Sequence, residues 1–430
     1  MESRSNYDEL CNILNARENK GKTVLHYAAE SGLDSVQVLL RLFNPGCPQK
    51  LKLLKARNKW NETAYHIAAK GGSPETLKYL LESIDSVDKV QNYKELFQIL
   101  NTQTFDHYAT VLHHAAQQGV CHVQVILELF KPGCPEILRL LKARNRYGGT
   151  AIIHSAAVCH QSSDGLKYLL EAISNNDEAS NCKQVHEILK LQDNAGETVL
   201  HYAAHHSPEC VSLILTFFDI TDSAVPQVWS FKDDLGQTCL SYVTDVETLR
   251  IFKNKFTTDM WVEFVTSIEH GRRTWIHKMM MQCNKDCLDF ILRSLSADVA
   301  LQLLKAEDDT HSIPLEKLCD GLGRHNSSTN ESLHKKELSK SIIILVMELI
   351  KGVSDDDWIF LAESLFTKTI AELGNTDWAF LQGLSTFRAF FVASVHFNYC
   401  LHILKTVGEC VSPQQQLKLL GETNGLDMQL

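Results

Sequence analysis

The chain has 430 residues, 44% apolar and 22% charged, which suits a protein that buries a core and gives a prior of about three domains or one elongated array. Forty-two Lys and Arg against 52 Asp and Glu leave a net charge of −10, arguing against a surface built as a whole for nucleic acid or anionic membrane. The opening MESRSNYDEL carries no basic-then-apolar signal, and the longest apolar run, 342–347, is too short to span a bilayer. The expectation is a non-secreted, cytoplasmic chain with no membrane span. Thirteen cysteines, with no CxxC pair, then read as reduced thiols filling cores. Cys283 and Cys287 lack the paired Cys/His surroundings that structural zinc favours.

In chain order, one phrase keeps returning. TVLHYAA begins at Thr23, TAYHIAA at Thr63, TVLHHAA at Thr110, TAIIHSAA at Thr150 and TVLHYAA at Thr198, with a worn TCLSYV at Thr238. Aligned on histidine, His26, His66, His113, His154 and His201 share one slot, with a one-residue insertion before His154. A larger unit is also copied: 23–58 and 110–145 align without gaps, with 24 identities in 36. Both contain PGCP and then LLKARN, and the intervening units share LKYLLE.

Each unit reads as helix, turn, helix. Threonine caps the first helix, paired alanines permit close helix approach, and Gly32, Gly72 or Gly119 ends it where a left-handed residue is needed. VQVLLRLF at 36–43 follows with apolar residues at helical spacing. PQKLKLLKAR and PEILRLLKAR read as a short third helix, with Pro48 or Pro135 in its first turn, and so do KELFQILN and VHEILKL. One helix pair cannot bury its own face, so neighbours must stack as a solenoid.

The Thr-x-Leu-His-x-Ala-Ala pattern, with the glycine and the Leu-Leu helix after it, resembles the ankyrin repeat over about residues 18–217. The resemblance implies an all-α solenoid of stacked helix pairs with β-hairpin tips, binding other proteins through the tips and the concave helix face. Units here run about 7 or 14 residues beyond the usual 33, and Val24, Ala64 and Val111 replace the usual proline. Carried over by alignment, the contact positions are Lys20, Lys22, Glu30, Lys59, Trp60, Glu62, Lys70, His107, Gln117, Arg146, Tyr147, Asn194 and Glu197. Asp106, Val158, Cys159, His205 and His206 fall at related positions. Trp60 and Tyr147 stand out, because aromatic residues dominate binding hot spots.

The array is expected over 1–250. The region 251–430 reads as divergent ankyrin-like repeats or a helical extension, with a separate helical domain as the competing reading. TWIHKMMMQ places His277 in the histidine slot, 303–321 resembles 53–72, and the polar stretch 323–341 reads as a mobile insertion. Its N-x-S triplets at Asn326 and Asn330 read as chance matches to the glycosylation pattern.

No catalytic signature appears: the phosphate-loop, nucleophile-elbow and kinase patterns are missing. Five histidines recurring at a fixed slot argue for structure, since an active site is one place. His201, His205, His206 and Cys210 have spacing that can hold a metal, yet His201 belongs to the repeat slot and no glutamate completes HExxH. No cofactor and no metal are expected. Lys50, Lys52, Lys55, Arg57, Arg139, Lys142 and Arg144 could stack as a basic stripe, but read as solvated helix faces. Nucleic acid and phosphoinositide are therefore disfavoured as ligands. The leading reading is a non-catalytic adaptor or scaffold. The rivals are a secreted effector of an intracellular bacterium and an enzyme within 251–430 targeted by the repeats.

Overall fold

The computed structural model describes residues 2–44, 47–84, 89–130, 134–157, 163–173, 178–218 and 228–317, with Ile342, Leu345, Val346 and Leu361 beyond them. The readings placed on Val158, Cys159 and 323–341, and on nearly all of 318–430, lie outside the described residues. The chain divides into two compact units, Met1–Val243 and one beginning at Thr244. The break precedes the expected boundary at 250 because one helix, Val246–Lys255, runs across that position.

The described residues are mostly helical, and in the first unit the helices come in threes. After α1 (Glu2–Leu14) come α2 (Val24–Ser31), α3 (Leu33–Leu40) and α4 (Pro48–Leu54), then α5 (Ala64–Gly71), α6 (Pro74–Glu82) and α7 (Lys89–Leu100). The block repeats as α8 (Val111–Gln118), α9 (Val120–Leu127) and α10 (Pro135–Lys142), then α11 (Ala151–Ala157), α12 (Asp164–Glu171) and α13 (Glu178–Leu189). α14 (Val199–His206), α15 (Pro208–Thr216) and a 3-10 turn at Cys239–Tyr242 complete it. The third helices fall where the surplus residues were expected, and α1 is an additional one. Its Glu9, Leu10, Ile13, Leu14 and Asn15 match Glu95, Leu96, Ile99, Leu100 and Asn101 of α7.

Packing follows the repeat. The first helices form one column, α2 on α5 on α8 on α11 on α14, and the second helices form another, α3 on α6 on α9 on α12. Residues after the cap show why neighbours are needed. Val111 and Val199 are 0% and 1% exposed, whereas Val24, with no helix pair ahead of it, is 41% exposed. Covering such a side chain contributes about 1.5–3 kcal/mol, and only the adjacent unit supplies the cover. The alanine pairs are equally closed: Ala29, Ala69 and Ala116 are buried against the next first helix.

The recurrent Thr and His supply a second join. Thr23, Thr63, Thr110 and Thr198 take extended backbone as helix caps. Three residues on, His occupies the place that Glu or Gln fills in the common capping box. Its Nδ1 accepts the backbone N–H of the cap, at 3.1–3.2 Å for His26, His66, His113 and His201. An amide can only donate, so the proton sits on Nε2, which donates across to the next unit. The acceptors are the carbonyls of Glu62 (3.1 Å), Thr102 (2.9 Å), Gly149 (3.0 Å) and Gln237 (3.3 Å). Each imidazole is thus a latch from one cap to the following tip.

His154 does not sit in this slot. Thr150 fixes the register of α11, so Ile153 stands where the other units place histidine, and no residue is inserted. The threonines are in fact evenly set, at intervals of 40, 47, 40, 48 and 40. His154 falls four residues after the cap, as do His114 and Tyr242. All three rings stand edge-on to the preceding unit's latch: His114 on His66, His154 on His113 and Tyr242 on His201, with centroids 5.2–6.0 Å apart.

Gly72 is a second correction. Gly32 and Gly119 have φ of +116° and +114°, a region open essentially to glycine alone, but Gly72 has φ −84°. Glycine is needed there for space, since a Cβ would lie 2.8 Å from the carbonyl oxygen of Ala68.

In the second unit, α16 (Val246–Lys255), α17 (Thr258–Val265), α18 (Trp275–Gln282), α19 (Lys285–Ser294) and α20 (Ala297–Lys305) enclose Trp275, Met279, Met280, Cys287 and Ile291. The latch recurs there. Thr274 N–H donates to His277 Nδ1 at 3.1 Å, and His277 Nε2 meets Ser312 O at 3.2 Å.

Burial lowers the pKa of all five latch histidines, to about 4 for His66 and about 3 for His113. The unfolded chain takes up protons near pH 6.5 while the folded latches refuse them, so stability is full above that pH and falls as pH drops towards the folded values. His66 and His113 should each cost about 2 kcal/mol at pH 5. Thermal melts should therefore show Tm falling steadily from pH 7 to pH 5. A flat or rising Tm would contradict neutral, buried latches.

Candidate partner-binding surface

The tips are built alike. In each, an N–H donates across a short turn to a carbonyl. The pairs are Glu18 to Lys22, Asn58 to Glu62, Thr104 to Ala109, Asn145 to Gly149, Asp193 to Glu197 and Asp233 to Gln237, at 2.9–3.0 Å. The side chain that opens the turn braces it from inside. Asn58 Oδ1 accepts the N–H of Trp60 and Glu62, and Asn145, Asp193 and Asp233 each do the same two and four residues on. These Asx turns, spaced five residues before the cap threonine, are legible as a recurring Asn or Asp.

Two residues before each cap, the backbone is left-handed. Gly21, Gly148, Gly196 and Gly236 stand there, and so do Asn61 (φ 63°) and Tyr108 (φ 50°). Among the described residues the expected β-hairpin strands do not form, because the two backbone bonds within each tip close a tight turn and do not extend into a ladder. The only bridge among the described residues, antiparallel, joins Ile268 and Thr274.

Neighbouring tips are bonded to each other. Lys59 N–H donates to Lys20 O, Phe105 to Trp60, Arg146 to His107, Asn194 to Tyr147 and Asp234 to Ala195, all at 2.7–2.9 Å. Side chains add a parallel row: Arg17 reaches Arg57 O, Gln103 reaches Arg144 O, Arg144 reaches Gln192 O and Gln192 reaches Lys232 O. The first unit therefore carries its tips as one hydrogen-bonded rail.

The contact positions carried over by alignment sit along this rail and on the adjoining first helices. Lys20 is exposed, and Lys22 pairs with Glu30 at 3.2 Å. Lys59 lies over the Trp60 ring, 4.4 Å from its centroid, and Trp60 is half-buried rather than fully exposed. Glu62 accepts from Asn58 and lies 3.9 Å from Lys70. His107 and Tyr147 stack across adjacent tips, centroids 6.1 Å apart, with Tyr147 60% exposed. Arg146 reaches Asp106 O, and Asn194 reaches Arg146 O. Gln117 is tied to His154, whose other nitrogen faces the Asn145 amide.

Further along, Glu197 and Asp233 both accept from the Tyr242 hydroxyl, and Asp193 accepts from Tyr202. Burial, then these carboxylates, push both phenols well above the ordinary tyrosine value. His201 has both ring nitrogens engaged and Cys210 is fully buried, while His205 is exposed, so the spacing that suggested a metal set does not bring these groups together.

The alignment passes over Phe105 and Tyr108, which are 64% and 49% exposed on the third tip. That tip is one residue longer than the others, which hides their correspondence to Lys59 and Asn61. Four of the seven cations of the suggested basic stripe bond to other groups of the chain. Lys55 pairs with Glu95, Lys142 with Glu187 at 2.8 Å, and Arg57 and Arg144 hold neighbouring tips.

The latch, the stacked columns and the tied tips define a repeat solenoid. Residues 3–93 match the family model of ankyrin repeats (3 copies), and no curated protein matches the chain. Residues 3–93 are thus similar to ankyrin repeats, which indicate a protein-protein interaction module. No helix among the described residues is long and apolar enough to cross a membrane.

The rail makes a mechanical prediction. Gly196 has φ +77°, and a Cβ there would lie 2.7 Å from the Asp234 nitrogen. Gly196→Ala should destabilise the chain by about 2 kcal/mol, seen as a lower urea midpoint. An unchanged midpoint would show that the tips do not approach so closely.

Proposed function

We propose that the protein is a non-catalytic adaptor of the cytoplasm that grips partner proteins with its tips and first helices. The supporting observation is the rail: side chains of six successive tips are held in fixed register before any partner arrives. Pre-organisation of that kind lowers the ordering cost of association. Exposed aromatics on it, Phe105, Tyr108 and Tyr147, with Trp60 beneath Lys59, provide the residue types that dominate hot spots. Lys20, Lys22, Glu30, Lys59, Glu62, Lys70, His107, Gln117, Arg146, Asn194 and Glu197 would surround them as polar contacts. We read the region beyond Thr244 as divergent repeats. The Thr274–His277 latch supports this, as does the tip at Asp308, whose Oδ1 accepts the N–H of Thr310 and Ser312.

Affinity capture from native cells tests the surface. Phe105→Ala with Tyr147→Ala should lose the partners retained by the unaltered chain, while Tm stays within about 2 °C, as for exposed substitutions generally. Undiminished capture would remove these tips from the binding surface.

A further inference from the structure

One face of the first helix pair is uncovered. Val24, Tyr27, Val38 and Leu42 are 41–65% exposed and line a shallow groove of about 500 Å³ on α2 and α3. Exposed apolar side chains gathered on one face mark an interaction site. The second block shows what such a face does. Val111, Val125 and Leu129 stand there for Val24, Val38 and Leu42, and α5 and α6 lie against α8 and α9. Val111 is 0% exposed under that cover, and Val125 and Leu129 are half-buried. Three departures on α3 bear on the occupant. His122, whose Nε2 meets Gly72 O of the preceding unit at 3.0 Å, is replaced by Ser35, and Cys121 and Glu128 are replaced by Asp34 and Arg41. The first block therefore lacks the side chain that ties a preceding unit and carries a charge pattern of its own.

That pattern is symmetric about Val38. On α3 and the turn that prolongs it, Asp34 lies four residues before Val38 and Arg41 three after it, about 6 Å and about 4.5 Å along the axis. At about 100° per residue, Asp34 and Arg41 fall on one side of Val38, whereas Ser35 and Leu42 fall on the other. Asp34 and Arg41 are both exposed. Among the described residues Arg41 reaches only Gln37 of its own helix, at 3.5 Å. An acidic and a basic residue flanking one apolar residue, on one side of a helix, are complementary to the same helix run backwards.

We propose that the occupant of this face is a second copy of the chain, joined through a two-fold axis at Val38. Turning the face about that axis sets Val38 on Val38 of the other copy. Each Asp34 then lies beside an Arg41, and each Leu42 over the small Ser35. Such an isologous interface uses one patch twice, so every favourable contact occurs in duplicate. The two ion pairs lie at the rim and set the orientation, while the apolar groove supplies the burial. The tips that carry Phe105 and Tyr147 take no part, so pairing is independent of their capture of other proteins.

Sedimentation equilibrium of the full chain over a range of concentrations tests the pairing. The mass should rise to that of two chains and stop there. Val38→Glu should leave single chains, with the far-UV helix signal unchanged because Val38 is 65% exposed. Asp34→Arg sets like charges together twice and should weaken association about tenfold or more, and Arg41→Asp should do the same. The chain carrying both substitutions should pair as the unaltered chain does, because its ion pairs are only reversed. The proposal is overturned by a chain that stays single at every concentration or grows beyond two. It is equally overturned if Val38→Glu still pairs, or if the double variant associates no more tightly than either single one.

Discussion

Four of the five joins between units in the first compact unit depend on one hydrogen-bonded imidazole repeated along the stack. Nδ1 accepts from the threonine that starts its own helix, and Nε2 donates to a carbonyl of the next tip. The second bond cannot be made by an isolated unit, because its acceptor belongs to the neighbour. A buried donor left without its acceptor costs about 1–3 kcal/mol, so each unit is incomplete until the following one is in place. Apolar burial enforces the same dependence, as the exposure of Val24 against Val111 shows. Stability of this kind is a sum of neighbour terms.

The latch also fixes where the tips project. Its acceptors are carbonyls at the tips or just before them, so the helix column and the rail share atoms. The Asx turns and left-handed residues shape each tip, and the tip-to-tip bonds set the interval between them. A partner would meet a row of side chains whose spacing the core determines. Where Ile153 replaces the latch between the fourth and fifth units, other bonds span the gap. Asn194 binds Tyr147 O through its backbone and Arg146 O through its side chain, and Arg144 reaches Gln192 O.

Much of this is legible in the sequence, because the repeat writes the same physics several times. Thr-x-x-His, the alanine pairs and the third helices follow from capping, close packing and period. His154 misleads because histidine is the conspicuous letter, whereas the cap threonine is what sets helical register. Gly72 misleads because glycine answers two needs, a positive φ at Gly32 and room for a carbonyl at Ala68. The exposure of Trp60 is not legible, since it depends on where the Lys59 chain lies. Phe105 and Tyr108 are hidden by a single extra residue in their tip.

Amide hydrogen exchange on the full chain carrying His113→Ala tests the mutual dependence most directly. If the units complete one another, exchange should quicken at Asn145 and Gly149 in the following tip as well as in α8. Quickened exchange confined to α8, with the 145–150 tip as protected as before, would contradict it.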